Sequence, residues 1–336
     1  MRETKTRATS SRTVNHTPIY YYSYYYSYHF HWNNNNIMAE FHNLKSLNDD
    51  EPAHWKALNL AAKALTKKAP TAAMPSLEHL KRADYNQVYE PAEDTYLLID
   101  ALLYEFEQGV FDLSTSATTK SEDDFVVLEI GCGTGVPTIM FRQEWQKRYP
   151  DRVLRTYVTD INPKALEVAL RTDEYNNKNG LHTLVAPIRA VHCDLATDLL
   201  EILAGSVDVL IFNPPYVVTP DEEVVDFSDA NTTTATATDD TIIAAAWAGG
   251  IHGRRVIDRA LSQIQHVLRG HAYMVTVDDN RPANLANLCR KDYQLMVRPL
   301  FRRRAHNEYL TIQKIFPLGR GGFNPTTKQD SDSFDF

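Results

Sequence analysis

Cysteine is scarce in this 336-residue chain, where only Cys132, Cys193 and Cys289 occur. They are too scattered for a C-x-x-C zinc site and too few for a disulfide framework. A reducing setting, the cytoplasm and secondarily the nucleus, is therefore expected. No apolar run approaches the roughly 18 residues needed to span a bilayer, so no membrane partner is expected. The first residues lack the basic, apolar and small-residue blocks of a signal peptide. RETKTRATSSRT has the basic, Ser/Thr-rich character of a transit peptide, but Glu3 and the lack of an amphipathic run count against it. Positive charge is also in deficit. The formal charge is −8, which argues against a protein held to its partner mainly by neutralising phosphates. The basic run Arg302, Arg303 and Arg304 reads more readily as a solvated strand end than as a nucleic-acid patch. Apolar residues, by contrast, make up 43% of the chain, enough to bury a core in one large or two small domains.

Residues 1–75 read as an N-terminal extension expected to be disordered. Its tract YYYSYYYSYHFHWNNNN is low in complexity and cannot build a specific core. His16, His29 and His31 lie near it, but a disordered tail is a plainer reading than a metal site, and no metal is expected. Met38 opens a more ordinary sequence and is an alternative start to Met1. HWKALNLAAKALTKKA has helical composition and no readable role. The domain proper is expected over residues 76–318, with a polar, disordered tail over 319–336.

Within the domain, Pro91 precedes Glu93, Asp94 and the apolar positions Tyr96, Leu97, Ile99, Leu102 and Leu103, the pattern of an amphipathic helix with an acidic first turn. FVVLEI follows as a short apolar run suited to a parallel strand buried on both faces. RTYVTD is a second strand ending at Asp160, with Asn162 and Pro163 opening a helix that runs to Gly180. Further strands are expected at APIRAVHCD, VDVLIF, HAYMVTV, near QLMVRPLF and at YLTIQKIF, with helices over 254–268 and 282–289. Alternation of this kind predicts an α/β fold with a mostly parallel sheet covered on both faces. The last two strands have no convincing helix between them, so an antiparallel C-terminal hairpin is expected.

EIGCGTG follows the first strand, with Glu129, Gly131, Gly133 and Gly135. A glycine loop there lets a ligand lie against the backbone, as in dinucleotide-binding domains. Here, however, Val136 and Pro137 replace the end of a G-x-G-x-x-G pattern, an acidic residue precedes the loop, and no basic residue enters it. Asp160 is placed to accept from two ribose hydroxyls, a role compatible with capping a helix. Asp194 ends the third strand, where it can accept from an adenine amine while Leu195 packs beside the ring. Gly131, Asp160, Asp194 and Asn213 all fall at strand carboxyl ends, where open parallel sheets bind ligands.

Asn213, Pro214, Pro215 and Tyr216 follow VDVLIF directly. Read blandly, they are a turn after a strand with Tyr216 as an interface aromatic. Read chemically, the Asn213 side-chain oxygen and the Pro214 carbonyl are two acceptors that can grip a planar NH2 group. The prolines stiffen that loop, and Tyr216 offers a flat face to the target.

VYEPAEDTYLLIDAL, VLEIGCGTGV, TDINPKALEVA, CDL, DVLIFNPPYVVTP and AAAWAGGIHGRRVIDR together resemble the HemK-type protein glutamine methyltransferases, specifically the eukaryotic class I translation release factor methyltransferases. The resemblance spans about residues 79–316, and YEPAEDT and WAGG are its most specific parts. It implies a class I S-adenosylmethionine-dependent, Rossmann-like fold with a seven-stranded sheet, and S-adenosylmethionine as methyl donor. The implied acceptor is the glutamine of a Gly-Gly-Gln tripeptide in the release factor. Donor contacts then fall on Thr95, Glu129, Gly131, Gly133, Asp160, Asp194, Leu195 and Asn213, and acceptor contacts on Asn213 to Tyr216. A small zinc-binding activator subunit is implied as a heterodimer partner. It would cover an apolar edge at the third strand, around Val185, Ile188 and Val191. An acidic, threonine-rich insertion over 226–241 is expected to form a mobile lid or rim. Adenine N6 methylation, protein lysine methylation and a non-catalytic binding module are the competing readings.

Overall fold

The computed structural model describes residues 51–70, 74–112, 124–177, 185–224 and 243–318. Residues 1–50, the insertion over 226–241 and the tail over 319–336 lie outside them. The strands are β1 (Phe125–Ile130), β2 (Leu154–Asp160), β3 (Arg189–His192), β4 (Val207–Phe212), β5 (Leu268–Thr276), β6 (Leu295–Ala305) and β7 (Glu308–Pro317). The main helices are α1 (Glu51–Thr66), α2 (Glu93–Glu107), α3 (Val136–Arg148), α4 (Pro163–Asn176), α5 (Arg255–Val267) and α6 (Pro282–Tyr293).

The strands form one seven-stranded sheet in the order β3-β2-β1-β4-β5-β7-β6. Strands β1 to β5 pair in parallel, and β7 enters antiparallel between β5 and β6. This is the mostly parallel sheet with an antiparallel hairpin that the sequence predicts. Every residue of β1 and β4 is buried, because helices cover both faces. Phe125 and Val127 join a core under α2 and α3, while the alternate residues Val126, Leu128 and Ile130 join a second core under α5 and α6. In α5, Ile257, Ala260, Leu261, Ile264 and Val267 form the buried stripe at helical spacing. The helix after β2 begins as expected, the Asn162 side chain accepting from the Lys164 N–H at 2.9 Å, and is described to Asn176.

Two boundaries differ from the sequence reading. The last part of the expected 1–75 extension is a folded helix, α1, which packs along β6. The Thr66 hydroxyl ties it there, accepting from the Arg302 N–H at 2.7 Å and lying 3.2 Å from the Arg302 carbonyl. Strand β3 is shorter than the expected run, pairing with β2 over Arg189–His192. Its apolar neighbours are not an exposed strip either. Val185 is buried, and Ile188 and Val191 pack against the cores, leaving Arg189 and His192 exposed at this edge.

Helix α2 is fixed by carboxylates along its length. Asp94 is buried at its start, Asp100 pairs with Arg303, and Glu105 accepts from both Lys314 Nζ and, at 2.6 Å, the Tyr273 hydroxyl. Lys314 and Glu105 are both buried, and desolvation pulls the Lys314 pKa down despite the attraction of Glu105. Lys314→Met strands a carboxylate in the core and is expected to cost about 3–5 kcal/mol in urea unfolding. The Glu105→Leu, Lys314→Met double variant should recover most of that loss. Full stability in the single variant would show that the pair contributes nothing.

Candidate active site

Chain order reverses direction across the sheet between β1 and β4, so a crevice opens at their carboxyl ends. There the structure has a cleft of about 290 Å³. Thr95, Glu129, Gly131, Gly133, Asp160, Asp194, Leu195 and Asn213 all line it, as do Pro214, Pro215 and Tyr216.

At the β1 end, Gly131 and Gly133 adopt φ of +64° and +50°, and a Cβ on either would meet no protein atom within 4 Å. The loop is thus a cradle whose open side faces the cleft. Asp160 steadies it: its Oδ2 accepts from the Gly133 N–H at 3.0 Å and its Oδ1 from the Asn162 N–H at 2.9 Å. Burial raises the Asp160 pKa to about 6 against the pull of these bonds. Glu129 is buried beneath the loop, and its Oε2 accepts from the Thr138 N–H in the first turn of α3 at 3.2 Å. Burial lifts its pKa to about 8, opposed by Thr138 and reinforced by the charge of Asp160. The open backbone cradle, the Asp160 carboxylate beside it and the buried Glu129 beneath it supply acceptors that fit the hydroxyl and amino groups of S-adenosylmethionine. The Asp194 carboxylate at the end of β3 pairs with Arg259 of α5, and Leu195 beside it is buried.

The acceptor end is built on Asp94, which is only 3% exposed. Its Oδ2 accepts from Asn213 Nδ2 at 3.0 Å, the Tyr216 hydroxyl at 3.1 Å and the Tyr89 hydroxyl at 3.3 Å. Its Oδ1 accepts from the Thr95 N–H at 2.7 Å and the Thr95 hydroxyl at 3.3 Å. A carboxylate can only accept, so Asn213 must turn its NH2 toward Asp94 and its oxygen away. That oxygen, Asn213 Oδ1, is buried and has no partner. Burial, then the charge of Asp94, pushes the Tyr216 and Tyr89 pKa values well above the usual phenol range, so both remain donors.

Tyr216 lines the cleft with a half-buried ring that packs against both cores, while its hydroxyl points at Asp94, so the ring is a fixed wall of the site. Behind the loop lies the WAGGIHG segment. The Val217 N–H donates to the Trp247 carbonyl at 3.1 Å and the Gly249 N–H to the Val217 carbonyl at 2.8 Å. A Cβ on Gly253 would stand 1.9 Å from the Tyr216 carbonyl oxygen, so only glycine allows this approach. Asn280 Nδ2 staples the two segments, donating to the carbonyls of Tyr216 and His252 at 2.9 Å each.

Sequence reasoning missed Asp94, Tyr89, Arg259 and Asn280. Asp94 had a signal: it lies three and four residues before the buried Leu97 and Leu98, on the apolar stripe of its helix. A carboxylate there requires partners. Tyr89 lies five residues before Asp94 in the YEPAEDT stretch, whereas Arg259 and Asn280 stand more than 60 residues from the Asp194 and Tyr216 they bind, and no local pattern pairs them.

What the fold and cleft define is a class I methyltransferase. The methyltransferase small domain family matches residues 105–276. Human Methyltransferase HEMK2 is 34% identical over 247 residues, 72% of this chain and 96% of the relative. The Schizosaccharomyces pombe protein named eRF1 methyltransferase catalytic subunit mtq2 is 33% identical over 254 residues, 73% of this chain and 96% of the relative. Among solved structures, the E. cuniculi Mtq2-Trm112 complex is 28% identical and covers 69% of this chain and 99% of that chain, with a TM-score of 0.41. The chain belongs to the methyltransferase small domain family and, within it, to the HemK-type glutamine methyltransferases.

The buried Glu129 makes ligand-free stability depend on pH. Its pKa rises from an ordinary 4.5 to about 8 in the fold, so the proton stabilises the folded state. That contribution is complete below pH 4.5 and is lost as pH rises through about 8. The Tm of the ligand-free protein should therefore fall between pH 6.5 and 8.5, and Glu129→Gln should flatten the fall. Parallel profiles for the two proteins would show that Glu129 is not the group responsible.

Proposed function

We propose that this chain methylates the side-chain nitrogen of the glutamine in a Gly-Gly-Gln tripeptide of the class I translation release factor. The observation that carries the reading is the Asn213 oxygen, buried, unpartnered and held in one orientation by Asp94. S-adenosylmethionine, when bound, supplies a methyl on a positively charged sulfur. Asn213 Oδ1 accepts one hydrogen of the incoming amide and the Pro214 carbonyl the other. An amide nitrogen is a poor nucleophile because its lone pair is delocalised. Two fixed acceptors orient it and favour the loss of that delocalisation as it attacks. Asp94, Tyr216 and Tyr89 hold the acceptor in place without touching the reacting atoms. No residue is assigned as a base, since the nitrogen becomes acidic once alkylated and can lose its proton to solvent.

A protein amide is favoured over a nucleic-acid amine by the fate of the basic run. Arg302 is bound bidentately by Asp278 at 2.8 Å, and Arg303 pairs with Asp100 and lies near Glu93. Two of the three charges in the run are thus neutralised within the chain, and the exposed Arg304 that remains is no track for phosphates. The S. pombe relative is named a catalytic subunit, which supports a partnered enzyme. The assembly proposed is a heterodimer with a small zinc-binding activator, seated on the open edge of β3 and acting in the cytoplasm. Since the apolar side chains there face inward, the edge offers mainly backbone groups and the exposed Arg189 and His192.

The test is to co-express the chain with the activator, incubate it with a release-factor fragment and labelled donor, and map the modified residue by mass spectrometry. Labelling of the Gly-Gly-Gln glutamine is the expected result, and labelling elsewhere would sink the substrate assignment. Asn213→Ala is expected to lower kcat by about 10² to 10³ while S-adenosylhomocysteine still binds. Asp94→Asn releases the Asn213 amide to flip and should cost up to about a hundredfold. Normal turnover in both variants would remove the acceptor grip from the mechanism.

A further inference from the structure

The turn after β3 is held in a conformation it would not choose alone. Leu195 stands at φ +54°, in the left-handed region that a leucine rarely adopts. The Thr197 N–H and hydroxyl donate to the Asp194 carbonyl at 3.2 and 2.9 Å, closing the turn from within. From outside, α5 supplies two side chains one helical turn apart. Arg259 Nη2 donates to Asp194 Oδ2, and Gln263 Oε1 accepts from the Ala196 N–H at 2.8 Å. Arg259 lines the cleft together with Asp194 and Leu195. Its side chain is 32% exposed and that of Asp194 is 22% exposed, so the pair sits at the wall rather than in the core.

We propose that Arg259 is a specificity-determining positioning residue for the purine end of the methyl donor. It rests on reading the cleft as the S-adenosylmethionine site. Arg259 pairs with the Asp194 carboxylate and fixes it in one orientation. A carboxylate has lone pairs for several donors, so it holds the guanidinium and still accepts from the exocyclic amine of adenine. A purine with an oxygen at that position sets acceptor against acceptor and is disfavoured. Gln263 acts on the backbone of the same turn and so supports the shape of the purine pocket without setting its charge.

Calorimetric binding of S-adenosylhomocysteine and S-inosylhomocysteine to the full chain with its activator separates these roles. The unaltered protein should prefer the adenosyl ligand by about a hundredfold or more. Arg259→Met should weaken adenosyl binding about tenfold and cut the preference to less than about tenfold, whereas Arg259→Lys should keep most of it. In turnover, Arg259→Met should raise the donor KM far more than it lowers kcat. Gln263→Ala should weaken both ligands together and leave their ratio intact. If Arg259→Met does not fold, Arg259→Gln, which keeps a donor but loses the charge, gives the same reading. An unchanged ratio in the folded variant overturns the proposal even if both affinities fall. Failure of the unaltered protein to bind S-adenosylhomocysteine would instead overturn the donor assignment.

Discussion

Asp94 can only accept hydrogen bonds, and it is buried where two tyrosines, an asparagine amide and the start of a helix must all donate to it. Its chemistry decides which end of Asn213 faces the cleft. An asparagine amide is nearly symmetric in shape, so packing alone would not choose between its oxygen and its nitrogen. The charge does choose. The acceptor grip is thus a property of a residue 119 positions away from Asn213 in the sequence. The position of Asp94 depends in turn on α2, which Glu105 anchors in the core through Lys314 and Tyr273. One helix therefore connects the buried ion pair to the orientation of the Asn213 amide.

The acceptor loop is supported on its other side by backbone contact rather than charge. Gly253 leaves room for the Tyr216 carbonyl, and Asn280 binds the carbonyls of both segments. The same segment leads directly into α5, whose Arg259 and Gln263 hold the turn at the far end of the cleft. Donor and acceptor ends are therefore fastened to one continuous piece of chain, residues 247–267. Fixed geometry of this kind suits a reaction that rests on positioning, because little of the barrier remains for a base or a metal to lower.

Much of the fold was legible because its strands are short, continuous apolar runs: FVVLEI and VDVLIF became β1 and β4 without a change of boundary. Position relative to those strands also identified the cleft residues from Glu129 to Asn213. Side-chain direction was not legible. Tyr216 reads as a flat face for the target in the sequence, with no sign that a buried carboxylate turns its hydroxyl inward. Val185 and Val191 look like an exposed apolar edge, yet Val185 is buried where it bridges Leu154 and Val191 packs against the core beneath α5 and α6. Asp94 was read as part of an acidic first turn, when its place on the buried stripe assigns it a second and larger task. Helix α1 has helical composition but no local sign of its docking site, since Arg302 lies 236 residues further on.

The two edges of the sheet end differently. Along β6, helix α1 lies against the strand and its Thr66 hydroxyl occupies an outward backbone amide. Along β3, among the described residues, only β2 is hydrogen-bonded to the strand. A sheet with two bare edges can add neighbours on both sides and grow into a filament, whereas a sheet closed on one side can only be terminated. Helix α1 thus makes the two edges unequal: an incoming strand would meet a packed helix along β6 and, among the described residues, open backbone groups along β3.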